Sequence, residues 1–207
     1  RKAFSLSIQK HKILNKLLSL LPSANHQQEL LVTPHLQGES AGLVYYALTL
    51  SNVKVSASPP WMQKRLQNLG LRPINTIVDI SNYVMLELGN PLHAFDYDLF
   101  SDKKILVRMG KLNERFVTLD GTERKLDQNI LLITDGKRPV AIAGIMGGME
   151  SEVTSYTKNI IIESPYFDPR VIRRGRMKLG ISTESSFRFE RGADPNITEL
   201  AVDRAAQ

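Results

Sequence analysis

The stretch KILVRMGKLNERFVTLDGTERKLDQNILLI, residues 104–133, decides which kind of fold this sequence can adopt. Short strand-forming runs alternate here with turns, the clearest at Asp120-Gly121 and, just beyond the stretch, at Asp135-Gly136. Asp-Gly pairs accept the positive φ of a tight hairpin, so the region reads as hairpin-rich and therefore antiparallel. It is neither a repeat nor a regular series of strand–helix–strand crossovers.

Working outward, residues 139–146 and 159–163 are further strand candidates. Asp168-Pro169 opens a basic helix that Gly180 ends, with aspartate suited to capping and proline tolerated in the first turn. Residues 197–207 read as a helix that stops without a cap. Upstream, residues 75–88 form a mostly apolar segment, read as helical and closed by Gly89-Asn90-Pro91. Ser58-Pro59-Pro60 opens another helix, with the serine placed to cap it and Gly70 placed to end it. Residues 43–55, rich in Val, Tyr, Leu and Thr, read as a strand bulged at Ser51-Asn52. Residues 8–21 carry apolar positions at helical spacing before Pro22-Ser23.

The fold class expected from this order is α+β, a β-rich central body of mostly antiparallel strands with flanking helices. Residues 1–40 are expected to be an amino-terminal helical flank or linker, and residues 41–207 one domain of two intertwined lobes. The chain opens at Arg1 without a methionine or a signal pattern and ends on an uncapped helix, so it reads as excised from a longer protein.

Composition narrows the function. The 207 residues, 42% apolar and 23% charged, are ordinary for a globular protein and wrong for disorder. The longest apolar runs, such as 130–133 and 160–162, are far too short to span a bilayer, so no membrane association is expected. Cysteine is absent, which removes disulfides, thiolate nucleophiles and thiolate-held metal and fits a cytoplasmic protein. A formal charge of +6 favours a polyanionic partner, because cations that meet phosphates release condensed counterions. The surplus concentrates at residues 170–178, in Arg170, Arg173, Arg174, Arg176 and Lys178, where a plain solvated basic face is the competing reading.

Four segments could carry chemistry. His93, after a Gly-Asn-Pro turn, reads as a loop imidazole able to position water or a carbonyl near neutral pH, or as a histidine that merely satisfies a backbone carbonyl. Ala143-Gly144-Ile145-Met146-Gly147-Gly148 follows an apolar strand; its glycines let a ligand approach the main chain closely, or simply make a tight turn. It is no phosphate loop, since the Gly-Lys-Ser/Thr ending is missing. Glu163 closes an apolar strand and is either solvated at its edge or held in a pocket wall, where it needs a hydrogen-bonding partner such as a ligand hydroxyl. Residues 183–192 mix hydroxyls, aromatics and charges, as in a salt-bridged turn or a loop that contacts nucleic acid. No nucleophile elbow and no two-histidine zinc signature is present.

Three of these segments and one further stretch, in this order and spacing, resemble one family. Residues 72–85 (RPINTIVDISNYVM) run into residues 89–96 (GNPLHAFD), followed by residues 143–148 (AGIMGG) and 187–192 (FRFERG). Together they resemble the beta subunit of bacterial-type phenylalanyl-tRNA synthetase over about residues 40–207. The resemblance implies the editing domain of that subunit, which hydrolyses tyrosine wrongly esterified to the phenylalanine tRNA. It implies no cofactor for this segment, with ATP and Mg2+ belonging to the whole enzyme, and an alpha subunit as partner in an alpha2-beta2 heterotetramer. Carried over by position, His93 and Asn82 match pocket residues, Arg72 a basic residue at the rim, and Gly144 and Gly147 the pocket floor. Glu163 matches the carboxylate that binds the tyrosine hydroxyl, and Thr183 a residue of the opposite wall. Ser185 departs from the alanine usual at its position, and Phe187 from the usual histidine. The implied chemistry is hydrolysis of the ester by a positioned water, oriented by His93 and by backbone donors near residues 144–148. The alternative is a scaffold domain of the same subunit that binds tRNA and has lost its editing pocket, and a third reading is another RNA-modifying enzyme on the same architecture.

Overall fold

The computed structural model describes residues 34–36 and 44–207, which build two main sheets, one separate hairpin and five α-helices. The first sheet has the order β1 (Pro34–Leu36), β4 (Ile105–Met109), β7 (Leu131–Thr134), β8 (Pro139–Ile142) and β9 (Met146–Gly147). All its pairings are antiparallel except that of β1 with β4. Strands β5 (Glu114–Val117) and β6 (Glu123–Leu126) form the separate hairpin. The Asp-Gly turns fall where the sequence puts them, with φ of 74° at Gly121 and 97° at Gly136.

The second sheet carries the argument. Strand β10 (Ile160–Tyr166) lies between β2 (Val44–Leu50) and β3 (His93–Asp96), antiparallel to both, although both precede it in the chain. Alternation along a strand sends neighbours to opposite faces, and here both faces are buried. Ile160 and Ile162, with Leu48, Leu50 and Ala94, pack on helices α2 (Thr76–Leu88) and α5 (Thr198–Ala206) through Ile77, Val84, Ala201 and Val202. Ile161 and Phe95 point the other way, into a core shared with Ile105, Leu132 and Ile142 of the first sheet. Each such fully buried aliphatic side chain contributes about 1.5–3 kcal/mol relative to exposure. The α+β expectation, antiparallel strands with flanking helices, is what the chain forms.

The helix ends follow local chemistry. Asn75 accepts from the amides of Ile77 and Val78 at 3.1 and 3.0 Å, which starts α2, and Gly89 at φ 78° ends it. Helix α3 (Pro169–Leu179) starts on Asp168, whose carboxylate accepts from the Arg170 amide at 2.8 Å, and ends at left-handed Gly180. Ile172 and Gly175 turn inward, while Arg170, Arg173 and Arg174 face solvent.

Several local expectations change. Ser58 does not cap helix α1 (Pro60–Asn68): Pro59 holds that position without a side-chain bond, and the serine hydroxyl donates to buried Asp79 at 2.5 Å. The other Asp79 oxygen accepts from the Ile74 amide at 2.8 Å, so this acid ties the linker to α2. The strand expected over 43–55 ends at Leu50, and Asn52 adopts φ 58° just after it. Strand β10 continues past Glu163 through Pro165, because β3 pairs only with residues 160–163 and leaves no neighbour there to miss the proline N–H. Residues 34–36, inside the expected flank, add a strand, while the helix expected over 8–21 lies outside the described residues. Among the described residues no helix is long and apolar enough to cross a membrane.

Candidate functional site

A cleft opens between the two sheets. Its lining includes Leu92 and His93, the turn residues Gly144 and Ile145 with Met146 and Gly147, Glu163 and Pro165 of β10, and Ser185 and Phe189 of helix α4 (Glu184–Phe189). Two other depressions contain neither His93 nor Glu163.

Glu163 and His93 stand opposite each other on adjacent strands, so their side chains share one face of the sheet. Glu163 is 4% exposed, and no cation pairs with it among the described residues. Burial pushes its carboxyl up to about 8, opposed by a hydrogen bond from the Tyr45 hydroxyl to Oε2. The Tyr45 phenol is itself raised well above its ordinary range, first by burial and then by the neighbouring acid. Oε1 of Glu163 has no hydrogen-bond partner among the described residues. A carboxyl so placed keeps one oxygen available to a hydrogen-bond donor that enters the cleft.

His93 is the first residue of β3, not a loop residue. Its ring sits edge-on to Phe95 with centroids 4.6 Å apart, and burial alone drives its pKa down to about 4. The imidazole is therefore neutral at pH 7. Neither ring nitrogen bonds to protein among the described residues, so it does not serve a backbone carbonyl and both nitrogens are open to a ligand or water.

The glycine turn holds this arrangement. Ile142 to Ile145 form a tight turn closed by the Ile145 amide on the Ile142 carbonyl at 3.0 Å, with Gly144 at φ 66°. A Cβ at Gly144 would also lie 2.9–3.0 Å from Phe189, Ile172 and Phe167, so only glycine fits. A Cβ at Gly147 would lie 2.6 Å from His93 Nε2, so this glycine makes room for the imidazole. The amides of Ile145 and Gly148 are occupied by the carbonyls of Ile142 and Val140, which leaves the Gly144 amide outside both the turn's closing bond and the β8–β9 ladder.

Thr183 reaches the cleft indirectly. Residues 184–189 form a short helix capped by Thr183 where a turn or loop is read from sequence, while the expected salt bridging is present, Arg188 with Glu184 and Arg191 with Glu190. Thr183 Oγ1 accepts from the Ser186 amide at 3.1 Å and donates to the Ile145 carbonyl at 2.9 Å. One hydroxyl thus caps α4 and pins the glycine turn. Ser185 lines the cleft, and its hydroxyl makes no hydrogen bond among the described residues.

The structure thus brings together His93, Gly144, Gly147, Glu163 and Ser185. Asn82, half-buried on α2, and exposed Arg72, in the linker before it, lie outside the cleft lining. Sequence reasoning missed Tyr45, because its pairing with Glu163 depends on a register between strands 118 residues apart.

Comparison with known proteins identifies the family. A family described as the B3/4 domain matches residues 42–207. The chain is 50% identical over 175 residues to the phenylalanine--tRNA ligase beta subunit of Protochlamydia amoebophila, covering 84% of this chain and 22% of that protein. It is 47% identical over 186 residues to the same subunit of Bacillus subtilis, covering 90% and 23%. A crystal structure of an N-terminal fragment of the phenylalanyl-tRNA synthetase beta subunit from Pyrococcus horikoshii aligns with a TM-score of 0.48 at 14% identity, covering 80% of this chain and 52% of that one. The chain spans about a fifth of the length of the curated relatives it matches. With the family match running from residue 42 to the last residue, the chain belongs to the B3/4 domain family, in the form found in bacterial-type phenylalanine--tRNA ligase beta subunits.

Proposed function

We propose that this domain, residues 41–207, is an editing module that hydrolyses tyrosine wrongly esterified to the phenylalanine tRNA, within a phenylalanine--tRNA ligase that also contains an alpha subunit. The observation that carries the reading is Glu163: a buried acid that meets no cation among the described residues, with one oxygen unpartnered there, in the cleft between the sheets. Tyrosine differs from phenylalanine by one hydroxyl, which an apolar synthetic pocket rejects poorly. A site that hydrogen-bonds that hydroxyl makes the opposite selection. With phenylalanine bound, Glu163 stays desolvated and unpaired on one oxygen, a penalty on the order of 1–3 kcal/mol.

Hydrolysis then needs geometry more than a strong base. Water adds to the ester carbonyl carbon, the carbonyl oxygen takes negative charge, and collapse expels the ribose oxygen, which takes up the proton. Neutral His93 suits positioning of water or carbonyl through its two open nitrogens, and the Gly144 amide is available as a donor to the developing oxyanion. Arg173 and Arg174 of α3, exposed and in no ion pair among the described residues, suit the phosphates of an RNA substrate. Arg72 and Asn82 take part as rim and positioning residues of the bound tRNA end, and Thr183 holds the wall through Ile145.

The test uses the full-length protein in its assembled enzyme with tyrosyl- and phenylalanyl-esterified tRNA. Glu163→Ala should abolish the preference for the tyrosyl ester; unchanged discrimination overturns the reading. Absence of deacylation in the unmutated protein would favour the scaffold alternative, which the free Ser185 hydroxyl in the cleft supports.

A further inference from the structure

The carboxyl that faces the cleft is held from behind by a side chain the hydrolysis does not use. Tyr45 lies on β2 two residues from Ala47, the register partner of Glu163, so both side chains leave the same face of the sheet. The Tyr45 ring packs against the core between the sheets, and its hydroxyl donates to Oε2 of Glu163. Glu163 lines the cleft and Tyr45 does not. A carboxyl with both oxygens free offers acceptor directions to a stray water as readily as to a substrate. With one oxygen held by a fixed donor, the directions open to a ligand shrink to those of the other.

We propose, resting on the reading that this cleft recognises a tyrosyl ester, that Tyr45 is a positioning residue for the phenol subsite: by holding Oε2 it presents Oε1 to the substrate hydroxyl in one orientation. The complex is a phenol–carboxyl–phenol chain in which the protein supplies one phenol and the misacylated tRNA the other. Tyr45 on β2 and His93 on β3 are the titratable groups that face Glu163 from the flanking strands, and the rest of the cleft lining, from the first sheet and α4, is uncharged among the described residues. His93 stays neutral above about pH 5, so a pH response near neutrality reports on Glu163. The Tyr45 bond favours the ionised carboxyl against burial, so loss of the hydroxyl moves ionisation to higher pH.

The test is steady-state deacylation by the full-length protein from pH 6 to 9, on tyrosyl- and phenylalanyl-esterified tRNA, corrected for spontaneous hydrolysis. Tyr45→Phe keeps the packed ring. It should raise KM for the tyrosyl ester roughly tenfold at little change in kcat, lower tyrosyl selectivity by the same factor, and move the limb of kcat/KM to higher pH. Fluorotyrosine at position 45 keeps ring and hydroxyl but donates more strongly, and should move that limb to lower pH, so it reports even if Tyr45→Phe folds poorly. A tyrosyl KM and a pH limb that match the unmutated protein in these variants overturn the proposal. Glu163→Gln separates the two ideas. If it loses selectivity while the position-45 variants behave normally, the editing reading stands and the role of Tyr45 falls; if it keeps selectivity, both fall.

Discussion

The two faces of strand β10 follow different rules. Toward the helices, Ile160 and Ile162 meet only apolar partners, and burial there stabilises the fold. Toward the cleft, the same strand breaks its apolar run with Glu163, a carboxyl that burial drives up to about 8. Both faces contribute stability, Ile161 on the cleft side among them, and the cleft face gives some up at Glu163, which on the proposed reading recognises a hydroxyl. The lesson is that a single strand can hold the fold on both faces and still spare one buried position for a polar group.

The sharpest way to break this comparison is to damage the helix face. Ile160→Ala should cost about 2–5 kcal/mol in denaturant unfolding, since Ile160 is fully buried, and should leave tyrosyl selectivity in the surviving folded protein unchanged. Glu163→Gln should do the reverse. A carboxyl whose folded pKa is raised contributes full stability below its unfolded value near 4.5 and loses it as pH rises toward about 8. The glutamine has no such loss, so the two proteins should unfold alike near pH 4.5 and differ by a few kcal/mol near pH 8, with the variant more stable. Equal pH slopes from denaturant titrations would contradict the burial of an uncompensated acid.

Smaller effects sharpen the cleft itself. Gly147→Ala places a methyl group 2.6 Å from His93 Nε2 and should displace the imidazole, lowering deacylation about 100-fold with little effect on the tyrosyl preference that Glu163 sets. Thr183→Ala removes the cap of α4 and the bond to the Ile145 carbonyl, and should cost about 1 kcal/mol in thermal unfolding with a modest fall in rate.

Legibility in the sequence follows the range of the interaction. Turns and caps made by neighbours could be read: Asp120-Gly121, Gly89, and Asp168 with Gly180 each hold their ends as their chemistry dictates. Features set by distant partners could not. Ser58 has the chemistry of a cap, yet buried Asp79 outcompetes the helix for its hydroxyl. Pro165 argues against a strand until the end of β3 is known. Helix α4 hid because its six residues are too few for periodicity and its capping box has Ser186 where the usual signature has Glu or Gln. Within the cleft, the closeness of Glu163, His93 and the glycine turn was implied by resemblance, whereas the Tyr45 bond emerges only once β2 and β10 are in register.

The position of β10 also orders events in time. Of the described strands it comes last in the chain, yet both of its neighbours wait for it, and β2 and β3 share no ladder without it. Until residues 160–166 are made, the sheet that presents Glu163 has no centre, and a chain that stops before them lacks the acid on which the proposed selection rests. Closing such distant contacts slows folding. On the proposed reading, the capacity to select a tyrosyl ester is complete only once this strand has paired along both edges.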